Sequence, residues 1–139
     1  MVLSYNVCEN ALPDIIIELE KIRDPFSGLG QFCSFLSNAI VQENKTFKIS
    51  AILPKSISIN GITTIKEKRT LFKYSFFLPK AKLWHLTHQD SRYIPSTSNP
   101  YIITVHDLND LIEKPAEKEF IRKKLQLLFK KARHIVCIS

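Results

Sequence analysis

Short apolar runs of strand type recur along the chain. They cover residues 14–20, 47–53, 83–87, 101–105 and 134–138, and each is rich in β-branched, aromatic or leucine side chains. Segments between them show helical periodicity, so strands and helices alternate. This alternation predicts an α/β protein with a Rossmann-like, mostly parallel sheet, in which all five runs are core strands.

Two segments have the periodicity of amphipathic helices. The first follows Ser27–Gly30, and its predicted buried stripe is Phe32, Phe35, Leu36, Ala39 and Ile40, at i, i+3, i+4, i+7 and i+8. The second begins near Pro115, which suits a first helical turn, and its stripe is Ile121, Leu125, Leu128 and Ala132. These helices would flank the sheet.

Three further segments interrupt the alternation of strands and helices. Ser56–Ile65 alternates apolar and polar residues around Asn60-Gly61, which predicts a β-hairpin. Residues 91–100 contain two prolines and three serines and are predicted to be a loop. Residues 74–78 fit either a helical turn or a strand.

The length of 139 residues fits one domain, placed at residues 14–139 after an amino-terminal extension at 1–13. No apolar run could span a membrane, and the first thirteen residues lack Lys and Arg, so a cytoplasmic protein is expected. Cys8, Cys33 and Cys137 are widely spaced among apolar neighbours, which predicts reduced thiols. A helix should cover the sheet after residue 138, and we expect the domain to be truncated before it.

The net charge of +7 is concentrated in two basic segments. Residues 66–82 carry six bases and one acid, and residues 113–134 carry eight bases and three acids. Such segments suit nucleic acid, anionic lipid or a diphosphate-bearing substrate. The outer face of the second helix is more simply a solvated basic surface. Peripheral contact with the inner face of a membrane is a further expectation from this charge.

Polar residues follow the third and fourth apolar runs, where parallel strands place ligand-binding groups. His88, Gln89 and Arg92 follow the run that contains His85, and His106 and Asp107 follow residues 101–105. His106 is the strongest candidate, because a neutral imidazole can bind sugar hydroxyl groups. The following Asp107 would either fix the ring of His106 or cap the next segment. His85 is expected to be packed or hydrogen-bonded within the sheet.

Several site types fit the sequence poorly. The spacing of His85 and His88 would place them on opposite faces of a strand, so no metal site is expected. Gly28 and Gly30 form only a G-x-G pattern, which supports phosphate contact and a tight turn equally and supports a dinucleotide weakly. The chain also lacks the G-x-S-x-G turn of serine hydrolases.

Three stretches together resemble the amino-terminal domain of the family-4 nucleotide-sugar-dependent retaining glycosyltransferases of the GT-B fold. They are IIIELEKIRDPFSGLGQFCSFL, LWHLTHQDSRYIPSTSNPYIITVHDLNDLIE and KKLQLLFKKARHIVCIS. The resemblance implies an acceptor-binding domain that works with a carboxyl-terminal domain holding the nucleotide-sugar donor. It also implies hexosyl transfer with retention to a carbohydrate or lipid-linked acceptor, without a metal or other cofactor.

The resemblance also implies roles for particular residues. Gly28 and Gly30 would approach the donor diphosphate, and His106 would face the transferred sugar as the catalytic residue. The residues on the acceptor side would be His88, Gln89, Arg92 and Asp107. The family's glutamate pair and basic residue that hold the donor have no counterpart here, so the chain is expected to be inactive without a separate or missing donor domain.

Two alternatives remain beside this interpretation. The chain could be a non-catalytic basic Rossmann-like module that binds nucleic acid or a protein partner. Nucleic acid is the weaker of these, because aromatic residues are not interleaved with the basic ones and no helix-turn-helix or RNA-binding motif occurs. The chain could also be one half of a two-chain enzyme, with its uncovered sheet as the interface.

Overall fold

A computed structural model describes residues 12–66, 77–96 and 98–138. The strands in these ranges are β1 (Ile15–Glu18), β2 (Ile49–Leu53), β3 (Thr63–Lys66), β4 (Leu83–Leu86), β5 (Tyr101–Val105) and β6 (His134–Cys137). The helices are α1 (Gly28–Glu43), α2 (Asp110–Glu113) and α3 (Lys118–Lys131), with 3-10 turns at Glu20–Arg23 and Pro115–Glu117. Each of the five predicted apolar runs contains one strand.

The six described strands form one sheet in the order β3-β2-β1-β4-β5-β6, and every neighbouring pair is parallel. The predicted α/β, Rossmann-like class is thereby confirmed. The chain extends the sheet from β1 to one side through β2 and β3, and then to the other side through β4, β5 and β6. The switch of direction between β1 and β4 opens a crevice beyond their carboxyl ends, where ligands bind in such sheets.

Side chains on the two faces of the sheet form two hydrophobic clusters. On one face, Ile16 and Trp84 pack in the cluster that contains Leu128 of α3. On the other face, Ile17 packs in the cluster that contains Cys33 of α1. Successive residues of a strand point to opposite faces, so Ile16 and Ile17 enter different clusters. Because both faces are covered, the central strands are mostly apolar.

Helix α1 forms as predicted, but it buries a different stripe. Phe35 is 71% exposed and Ala39 is exposed, which the prediction had placed inside. The buried and half-buried positions on the sheet side are Phe32, Cys33, Leu36, Ser37 and Ile40. The prediction was wrong for Phe35 and Ala39 because it counted apolar residues only, whereas two small residues, Cys33 and Ser37, face the sheet.

The predicted hairpin at residues 56–65 is wrong. Strand β3 pairs with β2 in parallel, and the residues between the two strands form a loop. Gly61 has a φ of 84° in this loop, a left-handed conformation that glycine adopts without strain. Ile57 and Ile59 pack against the cluster beneath α1. The alternation of apolar and polar residues in this segment therefore comes from a loop whose apolar side chains pack on the core.

Strand β6 is exposed along its whole length, although the sequence predicted a buried strand. Ile135, Val136 and Cys137 are all exposed. The strand pairs with β5, and no described residue pairs with its other edge. An edge strand lacks half of the neighbours of a central one, so its apolar composition did not ensure burial here.

Helix α3 packs on the sheet as predicted, through buried Leu125 and Leu128 and half-buried Ile121 and Ala132. The Tyr101 hydroxyl donates a hydrogen bond of 2.6 Å to the Leu128 carbonyl, which joins β5 to α3. Burial raises the pKa of Tyr101. The described part of the 91–100 segment contains neither helix nor strand, as predicted.

Some predictions concern residues outside the described ranges. They concern the extension up to residue 11, which includes Cys8. They also concern the basic stretch after Lys66, the ambiguous residues 74–76, and Ser139. Cys33 and Cys137 are free thiols. None of the described helices has the length and apolar character needed to cross a membrane.

Candidate functional site at the carboxyl edge of the sheet

The carboxyl ends of β1 and β4 bring ionisable side chains to the switch point. Glu18 ends β1, and Glu20 begins the 3-10 turn that follows. Thr87 and His88 come directly after β4. The Thr87 hydroxyl donates a buried hydrogen bond of 2.7 Å to the Glu18 carbonyl, which ties the two strand ends together.

The loop before α1 contains the two glycines predicted to approach a diphosphate. The Gly30 N–H donates a hydrogen bond of 3.0 Å to the Ser27 hydroxyl, which caps α1. A Cβ on Gly30 would lie 1.7 Å from the Asp24 carbonyl oxygen, whereas Gly28 has open space around it. The close Asp24 carbonyl thus explains why residue 30 is a glycine, and the Gly30 N–H is used in the cap of α1. Gly28 lies at the open end of the helix, where the helix dipole favours an anion.

His106 directly follows β5 and packs against α1. Its ring centroid lies 4.6 Å from that of Phe32 in a T-shaped contact. Its Nε2–H donates a hydrogen bond of 2.9 Å to the Thr87 carbonyl. Because a carbonyl can only accept, the neutral ring keeps Nδ1 as an acceptor. The half-buried ring is therefore oriented by α1 and by the end of β4.

Gln89 and Asp107 both bind backbone amides in this region. Gln89 Oε1 accepts a hydrogen bond of 3.2 Å from the His106 N–H. Asp107 is exposed, and its Oδ1 accepts one of 3.2 Å from the Asn109 N–H. This bond forms a local turn before α2, whose N-cap is Asn109, and the Thr87 carbonyl rather than Asp107 holds the His106 ring. Both side chains shape the strand ends around His106.

The switch-point cluster, defined as Glu18, Glu20 and His88, is buried, with exposures of 0%, 2% and 2%. Arg92 lies at its surface with a 48% exposed side chain, and its Nη2 is 3.2 Å from Glu20 Oε1. The hydroxyl of Tyr93, which is buried, donates a hydrogen bond of 3.1 Å to Glu20 Oε2. His88, which was predicted to contact the acceptor, is therefore internal, as is Tyr93, and Arg92 is the accessible member of this group.

His85 and Cys33 are titratable groups inside the fold. His85 Nε2 and Thr104 Oγ1 are hydrogen-bonded at 2.9 Å, as expected for a histidine held within the sheet. Burial lowers the pKa of His85 to about 4, so the ring is neutral at pH 7. Burial raises the pKa of the Cys33 thiol to about 11. That thiol lies 3.8 Å from Thr87 Oγ1 and is not activated as a nucleophile.

Two surface cavities lie at the opposite edge of the sheet. One of about 530 Å³ is lined by residues at the amino ends of β1, β2 and β3, and one of about 300 Å³ by residues that precede or begin β5 and β6. At the carboxyl edge, a cleft of about 10 Å³ beside Gln89 and Asp107 has room for about one water molecule. We place the candidate site at the carboxyl edge because the oriented imidazole and the buried carboxylates lie there.

The sequence predicted His106, Gln89 and Arg92 as site residues at the carboxyl edge of the sheet. It did not predict the buried residues that lie behind them. Glu18 and Glu20 were not among the predicted site residues. Their signal was nevertheless present, because acids in an apolar run such as IIIELE are rarely buried without a specific partner. Thr87 gave no such signal, since its role depends on the neighbouring strand.

Comparisons of the chain with protein-family models, curated proteins and solved structures found no match. Function is therefore inferred from the geometry of the carboxyl edge and from the resemblance of the sequence motifs.

Proposed function

We propose that this chain is the acceptor-binding domain of a glycosyltransferase that moves a sugar from a nucleotide-sugar to a carbohydrate or lipid-linked acceptor with retention. The observation that carries the proposal is His106, which follows β5 at the carboxyl edge with its ring held by Phe32 and the Thr87 carbonyl. In the family that the sequence resembles, a histidine at this point of the motif faces the transferred sugar.

The chemistry available at His106 suits a sugar. Because Nε2–H donates its hydrogen bond to the Thr87 carbonyl, Nδ1 can accept one from a sugar hydroxyl. This bond would orient the sugar ring during transfer. The transition state of glycosyl transfer carries positive charge on the sugar, which a neutral imidazole tolerates better than a cation would. His106 thus acts by positioning the sugar, and no covalent step is assigned to it.

The two sides of this edge supply different charges. Gly28, at the open N-terminus of α1, would approach the donor diphosphate. Arg92, at the surface beside Glu20, would bind an acidic or hydroxyl group of the acceptor. Gln89, Asp107 and His88 would support this surface from behind or beside it. Since the donor-holding residues of the family have no counterpart, the chain alone should bind acceptor and transfer little or no sugar.

Ligand-observed NMR tests this proposal directly. The purified chain is mixed with monosaccharides, oligosaccharides and a lipid-linked sugar, and saturation transfer identifies those that bind. We expect at least one carbohydrate to bind, and protein-observed spectra should then show a shift of the His106 ring resonances. His106→Ala should weaken binding about tenfold, as expected for one lost hydrogen bond.

One control variant and two contrary outcomes make the test specific. His134→Gln changes an exposed histidine on β6 and should leave binding unchanged. Failure of every carbohydrate to bind would reject the acceptor role. Sugar transfer from a nucleotide donor at ordinary enzyme rates would instead show that no separate donor domain is needed.

The alternative of a nucleic-acid-binding module is less well supported. Arg122 and Lys123 of α3 form ion pairs with Glu119, and Lys124 pairs with Asp90. Part of the basic face is therefore already neutralised. A salt-sensitive shift of RNA or DNA that is lost when Lys130 is changed to Gln would revive this alternative.

A further inference from the structure

The switch-point cluster brings together three metal-ligating side chains that the proposed function does not use as ligands. One donor atom each from Glu18, Glu20 and His88 lies within 4.8 Å of the other two. All three side chains are buried, and they come from the ends of two adjacent parallel strands. The sheet, rather than a mobile loop, therefore sets their approximate positions.

Four polar atoms of this cluster are unsatisfied. Among the described residues, neither carboxylate oxygen of Glu18 and neither ring nitrogen of His88 has a hydrogen-bond partner. Glu18 Oε1 and His88 Nε2 are 3.3 Å apart, but they are not aligned as a hydrogen bond. Buried polar groups in proteins are nearly always paired, and a buried carboxylate requires a compensating positive charge. Converging, unsatisfied donor atoms of this kind indicate a cation.

Glu20 differs from Glu18 because it already has outer partners. Tyr93 donates to its Oε2, and Arg92 and Arg23 lie 3.2 Å and 3.6 Å from its two oxygens. Both arginine side chains are partly exposed. Carboxylates that bind metals are themselves commonly held by hydrogen bonds from a second layer of residues, and Tyr93 supplies that layer here.

We propose that Glu18, Glu20 and His88 bind one divalent transition-metal ion, with Zn²⁺ as the best match. Two carboxylates and one imidazole are typical zinc ligands, and three protein ligands leave one position for water. Mg²⁺ and Ca²⁺ prefer oxygen ligands alone, so His88 selects against them. Zinc requires donors about 2.0–2.2 Å from the metal, so the three side chains must converge further from their present spacing, which is within 4.8 Å.

Such an ion would join β1 to β4 across the point where the sheet changes direction. It would add a cross-link beside the hydrogen bond between Thr87 and the Glu18 carbonyl. The ion would lie behind the proposed acceptor surface, and neither His106 nor Gly28 is among its ligands. Metal binding can therefore be present whether or not the chain binds a carbohydrate.

The test measures metal binding by the full chain. Metal-free protein is titrated with Zn²⁺ by calorimetry at pH 7.5, and Co²⁺ serves as a spectroscopic probe. We expect one ion per chain, a higher Tm with Zn²⁺ than with Mg²⁺, and visible absorption from bound Co²⁺. Glu18→Gln and His88→Gln should each lower the affinity more than about tenfold. His85→Gln is the matched control and should bind normally, because its ring contacts Thr104.

The outcomes separate a metal site from a buried ion pair. Absence of Zn²⁺ binding by the wild-type chain, or binding that survives both ligand substitutions, would overturn the proposal. Circular dichroism of the metal-free variants checks that they fold. If a variant does not fold, X-ray absorption of the zinc-loaded wild type decides the matter. Nitrogen and oxygen ligands are expected, and sulfur ligands at about 2.3 Å would place the zinc on cysteine instead.

Discussion

His85 should make the folded protein sensitive to mild acid. Burial lowers its pKa from 6.5 to about 4, so between these values the unfolded chain binds a proton that the folded chain does not. Stability should be unaffected by this group above about pH 6.5 and should fall as the pH drops below it. Between pH 7 and pH 5, the loss from His85 should be about 2 kcal/mol.

Urea unfolding of the wild type and of His85→Gln at both pH values measures this contribution. Glutamine can still hydrogen-bond to Thr104 but does not titrate. The variant should therefore lose about 2 kcal/mol less than the wild type on acidification. Equal losses in the two proteins would mean that His85 is not the source.

Gly30 and Gly28 form a matched pair for testing the loop before α1. Gly30→Ala should destabilise the fold by about 3 kcal/mol or more, because its Cβ would overlap the Asp24 carbonyl oxygen at 1.7 Å. Gly28→Ala should change stability by less than about 1 kcal/mol, because the space around Gly28 is open. Thermal unfolding of both variants is the measurement, and similar Tm values for the two would contradict the packing described for this loop.

At the scale of elements, Thr87 connects β1, β4 and α1. Its hydroxyl bonds to the Glu18 carbonyl and lies beside Cys33, and its own carbonyl binds His106. Thr87→Val keeps the shape but leaves a buried carbonyl unpaired, which should cost about 1–3 kcal/mol. Thr87→Ser keeps the hydroxyl and should lose clearly less. Chemical denaturation of the two variants decides between a hydrogen-bond role and simple packing.

The elements that the sequence predicted well are those that depend on local pattern. Strand β5 begins and ends at the predicted residues, and α3 buries Leu125 and Leu128 as predicted. The hairpin at residues 56–65 failed because an alternating pattern records only which side chains meet the core, and a loop beneath α1 can satisfy it. The stripe of α1 shifted because the close approach of a helix to a sheet favours small residues.

At the scale of the whole molecule, β6 leaves an apolar edge exposed. Ile135, Val136 and Ile138 are each more than 40% exposed, and edges of this kind pair readily with other chains. We expect the isolated chain to self-associate as its concentration rises. Val136→Lys should shift it toward the monomer, as measured by sedimentation velocity. A wild type that stays monomeric at high concentration would contradict this expectation.

Only part of the candidate site could be predicted from the sequence, because the rest depends on which strands are neighbours in the sheet. Parallel strands place their carboxyl ends at one edge, so the positions of Arg92 and His106 followed from the order of the runs. Which side chains lie behind that edge depends on strand neighbours that are distant in sequence. The contact between Glu18 and His88 joins β1 to the end of β4, and no local pattern records that pairing.

The strand order also determines when the sheet can be completed during synthesis. Strand β1 lies in the middle of the described sheet, and its partner on one side, β2, follows soon after it. Its other edge pairs with β4, which begins at Leu83. A chain leaving the ribosome therefore carries an apolar central strand with one unpaired edge until β4 has been made. During that interval the nascent protein is most exposed to mispairing and to capture by chaperones.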